Sequence, residues 1–431
     1  MKQTNTDNKI QDNQDVPQEK AKITKIQEWL MRSYSFRNNI VTQQLEFKKE
    51  DDENFSTFTD KMKTDIIIRL KEMRFSKPKE DLEDLLSSSL IEDYNPIKDY
   101  FHSLKFAGFG YIDQMVQCIT LDHPEMMIRD KVYKDLFADY FRRWLMACYL
   151  CSTGVCVNDV MLILIGAQGR YKTSFLNNLC PAPLVEYRVC SHINPSLTDY
   201  NTSNYLAEKF LINVDDQMET IFGRDYNCMK AIVSAPDITN RKLYKATHQR
   251  RRRIANFCGS VNESRFLRDS NNRRYLCFAI TDIDKDYINI DIDKMWAEVK
   301  QLAEISKSKY MFGREDYVTI DMMNAQFEAP TEEAETLQTV FMPVIDDKPE
   351  EDKTIYYMSF TEIIGILKIF SGNNSLKPYN LQTALRKYGY QVKSYKKDRF
   401  GKQPRNLYAV QLINSYPIGQ SWLPNKMAEY L

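Results

Sequence analysis

The chain has 431 residues, 43% of them hydrophobic, and its 59 lysines and arginines balance 59 aspartates and glutamates. Such a length can bury a sizeable core split among about two to four domains, and the neutral balance excludes a generic polycation, so any nucleic-acid site must be a local patch. No apolar run approaches the roughly 20 residues of a membrane helix and the first twenty residues lack the apolar core of a signal peptide, so a cytoplasmic protein without membrane contact is expected.

Residues 1–21 are rich in Asn, Gln and Asp and are expected to be a disordered tail. Residues 22–92 have their own apolar pattern, with RNNIVTQQLEFKK alternating as a hairpin does and a polar stretch growing into a periodic helix, which predicts a small N-terminal α+β module. Residues 93–159 predict a helical collar: Leu136, Tyr140, Trp144 and Leu145 fall on or near one helix face, and Arg142 and Arg143 are read as its solvated side. Cys148, Cys151 and Cys156 form the one tight cysteine cluster, but none of the four histidines stands at a finger spacing, so packed reduced thiols are expected rather than zinc.

Residues 160–312 carry the chemistry. The run VMLILIGAQGRYKTSFLNN reads as a strand buried on both faces, a glycine-bearing loop and a helix. Backbone amides of Gly166, Ala167, Gln168, Gly169, Arg170 and Tyr171 can turn toward phosphate oxygens, with Lys172 reaching the β and γ phosphates, Thr173 holding Mg2+ and Ser174 completing the set. This predicts a P-loop for ATP and Mg2+, with one departure: Tyr171 stands where the pattern has glycine. Downstream, KFLINVDD predicts a second strand ending in Asp215, to hold Mg2+ through water, and Asp216, to orient the attacking water, with Glu219 in reserve. A third strand, IANFCGSV, ends in Asn262, placed to sense the γ phosphate. Arg273 and Arg274 then precede a further strand and could stabilise transition-state charge across a subunit boundary.

The richest basic patch lies between the acidic and sensor strands: Arg241, Lys242, Lys245, His248 and Arg250 to Arg253, interleaved with Tyr244. Lys242, Lys245 and His248 are expected to track a single DNA strand without reading sequence, and Arg250 to Arg253 abut the strand. After residue 280 a lid-like helical tail is expected, with Trp296 and Val299 in a core. Residues 313–354 read as a helix and an acidic linker. Residues 355–416 predict two helices and a basic hairpin, the winged-helix plan, with Arg386, Lys387, Lys396 and Lys397 as DNA contacts. Residues 417–431 read as a tail.

From about Tyr94 to Ile280 the chain resembles the virulence-associated protein E family, related to primase-helicases of phages, plasmids and integrated elements. YNPIKDYFHSLKFAG, GAQGRYKTS, the VDD strand end, APDITNRKLYK and FCGSVNESRFLRDSNNRRYLCF carry the resemblance. It implies an α/β, AAA+ type P-loop ATPase that assembles as a ring, most simply a hexamer, on DNA; single-stranded DNA is the expected partner of the ring and duplex DNA that of the winged helix. By residue it implies Lys172 and Thr173 as the phosphate-binding pair, Asp215 and Asp216 as the acidic pair (Glu being usual at the second), Asn262 as sensor and Arg273 and Arg274 as the arginine motif. The activity implied is an ATP-dependent DNA helicase or replication initiator of a mobile element. The alternative is a slowly hydrolysing, nucleotide-switched DNA-binding regulator. A small-molecule kinase would have no use for the paired arginines or the basic C-terminal module, and no primase active site is evident, so priming would come from a separate chain.

Overall fold

The computed structural model describes residues 18–190, 193–215, 226–241, 248–262, 264–267, 272–306, 310–344, 355–395 and 405–413. They divide into two compact units, one holding residues 1–218, 227–262 and 274–316 and the other 219–226, 263–273 and 317–431. Among the described residues no helix is long and apolar enough to cross a membrane.

In the first unit, strands β1 (Tyr34–Asn39), β2 (Gln44–Lys49), β3 (Ser56–Thr57) and β4 (Glu92–Tyr94) form a sheet ordered β3-β2-β1-β4. Helices Gln18–Ser33, Asp60–Glu72 and Pro78–Ser87 supply Ile26, Leu30, Ile66, Leu70 and Leu82 to a core closed by Tyr34 and Phe47. Apolar residues alternate, Tyr34 and Phe36 along β1 and Leu45 and Phe47 along β2, because one face of a strand repeats every second residue.

The larger sheet contains β5 (Ile119–Leu121), β8 (Met161–Ile165), β9 (Arg188–Cys190), β10 (Leu211–Val214), β13 (Asn256–Val261) and β14 (Tyr275–Ile283). Two small hairpins intervene in the chain: β6 (Met127–Ile128) with β7 (Lys131–Val132), and β11 (Asp237–Arg241) with β12 (His248–Arg252). The sheet order is β5-β14-β8-β13-β10-β9, parallel throughout except for β5. Every residue of β8, β10 and β13 is buried, as a parallel sheet covered on both faces requires.

The expected collar is not a separate layer. β5, from within residues 93–159, is the edge strand of the large sheet, and helix Tyr133–Ser152 has Tyr140, Trp144 and Leu145 buried and Tyr133 and Phe137 packed against Phe278 of β14. Nor is Arg143 solvated: its side chain is 12% exposed and bonds Asp316 Oδ2 at 2.8 Å and the Met311 carbonyl. A guanidinium drawn from water is held by a carboxylate brought from a distant helix, which helical periodicity cannot foresee.

In the second unit a three-helix core meets a small sheet. Helices Glu332–Val340, Phe360–Ser371 and Pro378–Lys387 share one apolar cluster, through Leu337, Val340, Ile363, Leu367, Leu381 and Leu385, with Phe341 and Val410 from strands. β18 (Arg405–Leu412) pairs antiparallel with β15 (Phe341–Pro343), β16 (Tyr356–Met358) and β17 (Val392–Tyr395). The boundary expected at 355 therefore falls too late, because Glu332–Pro343, assigned to the preceding helix-and-linker segment, is an integral wall of this core. A capping box joins Ser359 and Glu362 at one helix start, and Gly372 ends that helix at φ +68°.

Candidate functional site

Parallel α/β sheets bind ligands outside the carboxyl ends of their strands, and β8, β13 and β10 end side by side. β8 runs into the loop at Gly166, which lies so close to β14 that a Cβ would stand 2.4 Å from the Ile280 carbonyl oxygen. Gly169 follows at φ +81°, and helix Lys172–Asn178 begins directly after Tyr171. Residues 167–171 are exposed, whereas Lys172 is buried.

Lys172 Nζ donates to the Gly166 and Ala167 carbonyls at 2.7 and 2.8 Å and to Asn262 Oδ1, beyond the end of β13, at 3.0 Å. Thr173 Oγ1 donates to Asp215 Oδ1 at 2.6 Å, and Ser260 Oγ donates to the same oxygen at 2.7 Å. Five residues from separate stretches of the sequence, at 172–173, 215, 260 and 262, thus converge on one strand edge. Ser260 carries no motif signal beyond being a hydroxyl near the end of an apolar strand. Asn213, whose Nδ2 donates to Asn177 Oδ1 at 3.1 Å behind the loop helix, is foreshadowed only as a polar residue inside LINV.

The donor set fits a nucleotide and a hard cation. Thr173 and Asp215 present oxygen ligands of the kind Mg2+ takes, in a site where that ion keeps waters and phosphate oxygens for the rest of its shell. The ammonium of Lys172 is held on the carbonyls of the loop that would surround a phosphate.

Tyr171 occupies the left-handed region at φ +57°, ψ +15°, which costs a non-glycine residue about 1–2 kcal/mol. Its ring lies 4.7 Å from Lys285 Nζ, and a side-chain hydrogen bond between the two raises the lysine's pKa. Arg170 pairs with Asp282 at 3.6 Å.

The remaining expected residues are spread differently. Arg274 precedes β14, and its carbonyl accepts from the Met161 amide at the start of β8, 2.8 Å away. It thus sits at the amino edge of the sheet, opposite the loop, and Arg273 stands just before it in the chain. Arg273 is exposed, with its guanidinium 5.2 Å from the Tyr317 ring centroid. Asp216, Glu219, Lys242, Lys245, Lys396 and Lys397 lie outside the described residues, as does the side chain of His248.

Several of the basic residues have structural partners, among them Arg250, which pairs with Asp237. Arg253 is fully buried, donating to the Ile232 carbonyl at 2.9 Å and to the carbonyls of Val233 and Asn158, so it caps the end of helix Tyr226–Ser234. Arg251 pairs with Glu208 at 3.0 Å and reaches the Val41 carbonyl of the N-terminal module. Lys387, expected on DNA, forms an ion pair with Glu328, whose side chain is 11% exposed, so its charge is already engaged. Arg386 is exposed on the same helix. Cys148 and Cys151 are buried, with Asn158 Nδ2 donating to Cys148 Sγ at 3.4 Å.

Fold and site together define a mixed α/β domain with a strand, glycine loop and helix opposite an acidic strand end. Residues 120–329 match the family model described as the virulence-associated protein E-like domain. The match begins after the YNPIKDYFHSLKFAG segment and runs beyond Ile280, so the domain lies further along the chain than the motifs at Tyr94 suggested. No curated protein matches the sequence. Similar solved structures include the apo C-terminal region of NrS-1, 13% identical, with TM-score 0.47, covering 90% of this chain and 98% of that one. Another is described as the active helicase Cch of SCCmec type IV, 9% identical, with TM-score 0.36, covering 88% and 92%.

Proposed function

We propose that the chain is an ATP- and Mg2+-dependent motor that works on DNA in the replication of a phage, plasmid or integrated element. The observation that carries this reading is the double link across the strand edge: Thr173 to Asp215 at 2.6 Å and Lys172 to Asn262 at 3.0 Å. A lysine, a hydroxyl, a carboxylate and an amide from three adjacent strand ends are the parts needed to hold a triphosphate and judge its γ phosphate. The strand order supports an AAA+ type core: numbered along the chain from β8, the parallel strands lie 5-1-4-3-2. Bound Mg2+ would neutralise charge between the β and γ phosphates. Lys172 would bind the phosphates, Thr173 and Asp215 would hold the cation, and Asn262 would orient the γ end.

Arg274, at the far edge of its own sheet, could reach only the nucleotide of another copy, which favours a ring in which Arg273 or Arg274 acts in trans. Hairpin β11–β12 carries the segment with Lys242, Lys245 and His248, a fitting element to follow a single strand. The second unit, read as a winged helix, would contact duplex DNA through Arg386 and the lysine-rich hairpin containing Lys396 and Lys397.

The test is ATP hydrolysis by purified protein with and without single-stranded DNA, alongside Lys172→Ala. Stimulated turnover that the variant loses is the expected result. Nucleotide binding without stimulated turnover would replace the motor with the second reading, a nucleotide-switched regulator, which Tyr171 at the glycine position favours.

A further inference from the structure

The end of β14 and the segment that follows it touch the phosphate loop at its start and at its end. Ile280 closes on Gly166 at the loop's start. Asp282 pairs with Arg170, and Lys285 lies over the Tyr171 ring, at its end. In the first turn of the loop helix, Ser174 is hydrogen-bonded to Tyr287. The segment is itself anchored: the Asp284 amide donates to the Cys118 carbonyl at 2.8 Å, Asp284 Oδ1 accepts from the Asp286 amide at 3.0 Å, and Tyr287 packs edge-on against Phe175 with centroids 5.3 Å apart.

A glycine at 171 would enter and leave the left-handed region freely, letting the loop open and close around phosphate unaided. A tyrosine holds that conformation against its intrinsic preference, so what grips its side chain governs the loop.

We propose that Asp282, Lys285 and Tyr287 are positioning residues that clasp Arg170, Tyr171 and Ser174 and thereby set the rate at which nucleotide leaves the phosphate loop. The proposal rests on the nucleotide site described above and names a control on that site which no phosphate-loop motif contains. The clasp acts through the tyrosine at the glycine position. Lys285 touches no phosphate ligand, and helix Ile292–Ile305 follows it in the chain, so movement of that helix would be transmitted to the loop.

The experiment is stopped-flow release of a fluorescent ATP analogue from the full chain, comparing wild type, Lys285→Ala, Lys285→Arg, Tyr171→Gly and Lys172→Ala. Release from Lys285→Ala and Tyr171→Gly should be roughly 3- to 10-fold faster, since such changes act mainly on dissociation. Lys285→Arg, which keeps a cation over the ring, should release at the wild-type rate. Lys285 is exposed, so its variants should fold normally, and circular dichroism checks this. Wild-type or slower release from Lys285→Ala, or failure of Lys285→Arg to restore the rate, would overturn the clasp while leaving the phosphate site intact. Wild-type binding by Lys172→Ala would instead overturn the nucleotide site itself.

Discussion

At Gly166 one methyl group separates a working loop from a displaced one. Gly166→Ala would place a Cβ 2.4 Å from a backbone oxygen of β14, and backbone at the centre of a sheet cannot give way. Nucleotide affinity is expected to fall at least about tenfold, measured by fluorescent-analogue titration, while the far-ultraviolet circular dichroism stays that of wild type. Arg253 is the opposite case, a charged residue with a structural task. Arg253→Ala would strip the carbonyls of Ile232, Val233 and Asn158 of their donor in a fully buried site, and at about 1–3 kcal/mol for each orphaned group the loss should be about 3 kcal/mol or more. Chemical denaturation of the first unit measures it. In sequence, Arg253 is indistinguishable from its three arginine neighbours. Burial likewise sorts the thiols: it pushes Cys148, Cys258 and Cys277 well above the ordinary range and Cys156 and Cys180 up to about 12. Iodoacetamide at pH 8 should therefore modify the exposed Cys190 and Cys228 first, with Cys148, Cys258 and Cys277 reacting only on unfolding, as read by peptide mass spectrometry.

At the scale of elements, two glutamates start helices that are not their own. Glu298 Oε2 accepts from the amides of Tyr111 and Ile112, at 2.7 and 3.1 Å. Glu333 accepts from the Lys377 amide at 2.6 Å and from Asn380 Nδ2 at 3.1 Å. Burial raises the Glu333 pKa, but the Lys377 amide and the Asn380 side chain outweigh it, and the net shift is below the usual 4.5. A carboxyl depressed in the folded state stabilises fully above its unfolded value and loses that contribution as pH falls through its folded value. Glu333→Gln should thus destabilise the second unit by about 1–2 kcal/mol at pH 7, and the difference from wild type should shrink below about pH 4.5 in denaturant titrations. Helix starts of this kind are not legible in sequence, since Lys377 offers no side-chain cap and its partner is 44 residues earlier. The glycine loop was legible because each of its parts is local, and the acidic strand end because apolar residues lead straight into Asp215.

Over the whole molecule, the division into units makes the second one separable. Its core needs Leu337, Val340 and Phe341 as well as the residues after 355. A fragment spanning 329–431 should unfold cooperatively on heating, whereas one beginning at 355 should lack a cooperative transition in calorimetry, because an apolar wall of the core is missing. The longer fragment should also bind duplex DNA with a steep salt dependence: residues 377–405 hold nine lysines and arginines against a single acid, Asp398. Binding unchanged between low and moderate salt would rule out the electrostatic reading.

By itself the sequence determined the buried strands, the glycine loop, the acidic strand end, the amphipathic helices and the basic C-terminal stretch, because each depends on neighbours within a turn or two of backbone. Only the tertiary structure decided which strands adjoin and which arginines are buried caps rather than ligands. It also put β5 in the large sheet instead of a collar, moved Glu332–Pro343 into the last core, and placed Lys285 over Tyr171. Those outcomes turn on pairings between residues tens to more than a hundred positions apart. Such partners are chosen by which surfaces pack and which buried polar groups must be satisfied, and no local pattern encodes that choice.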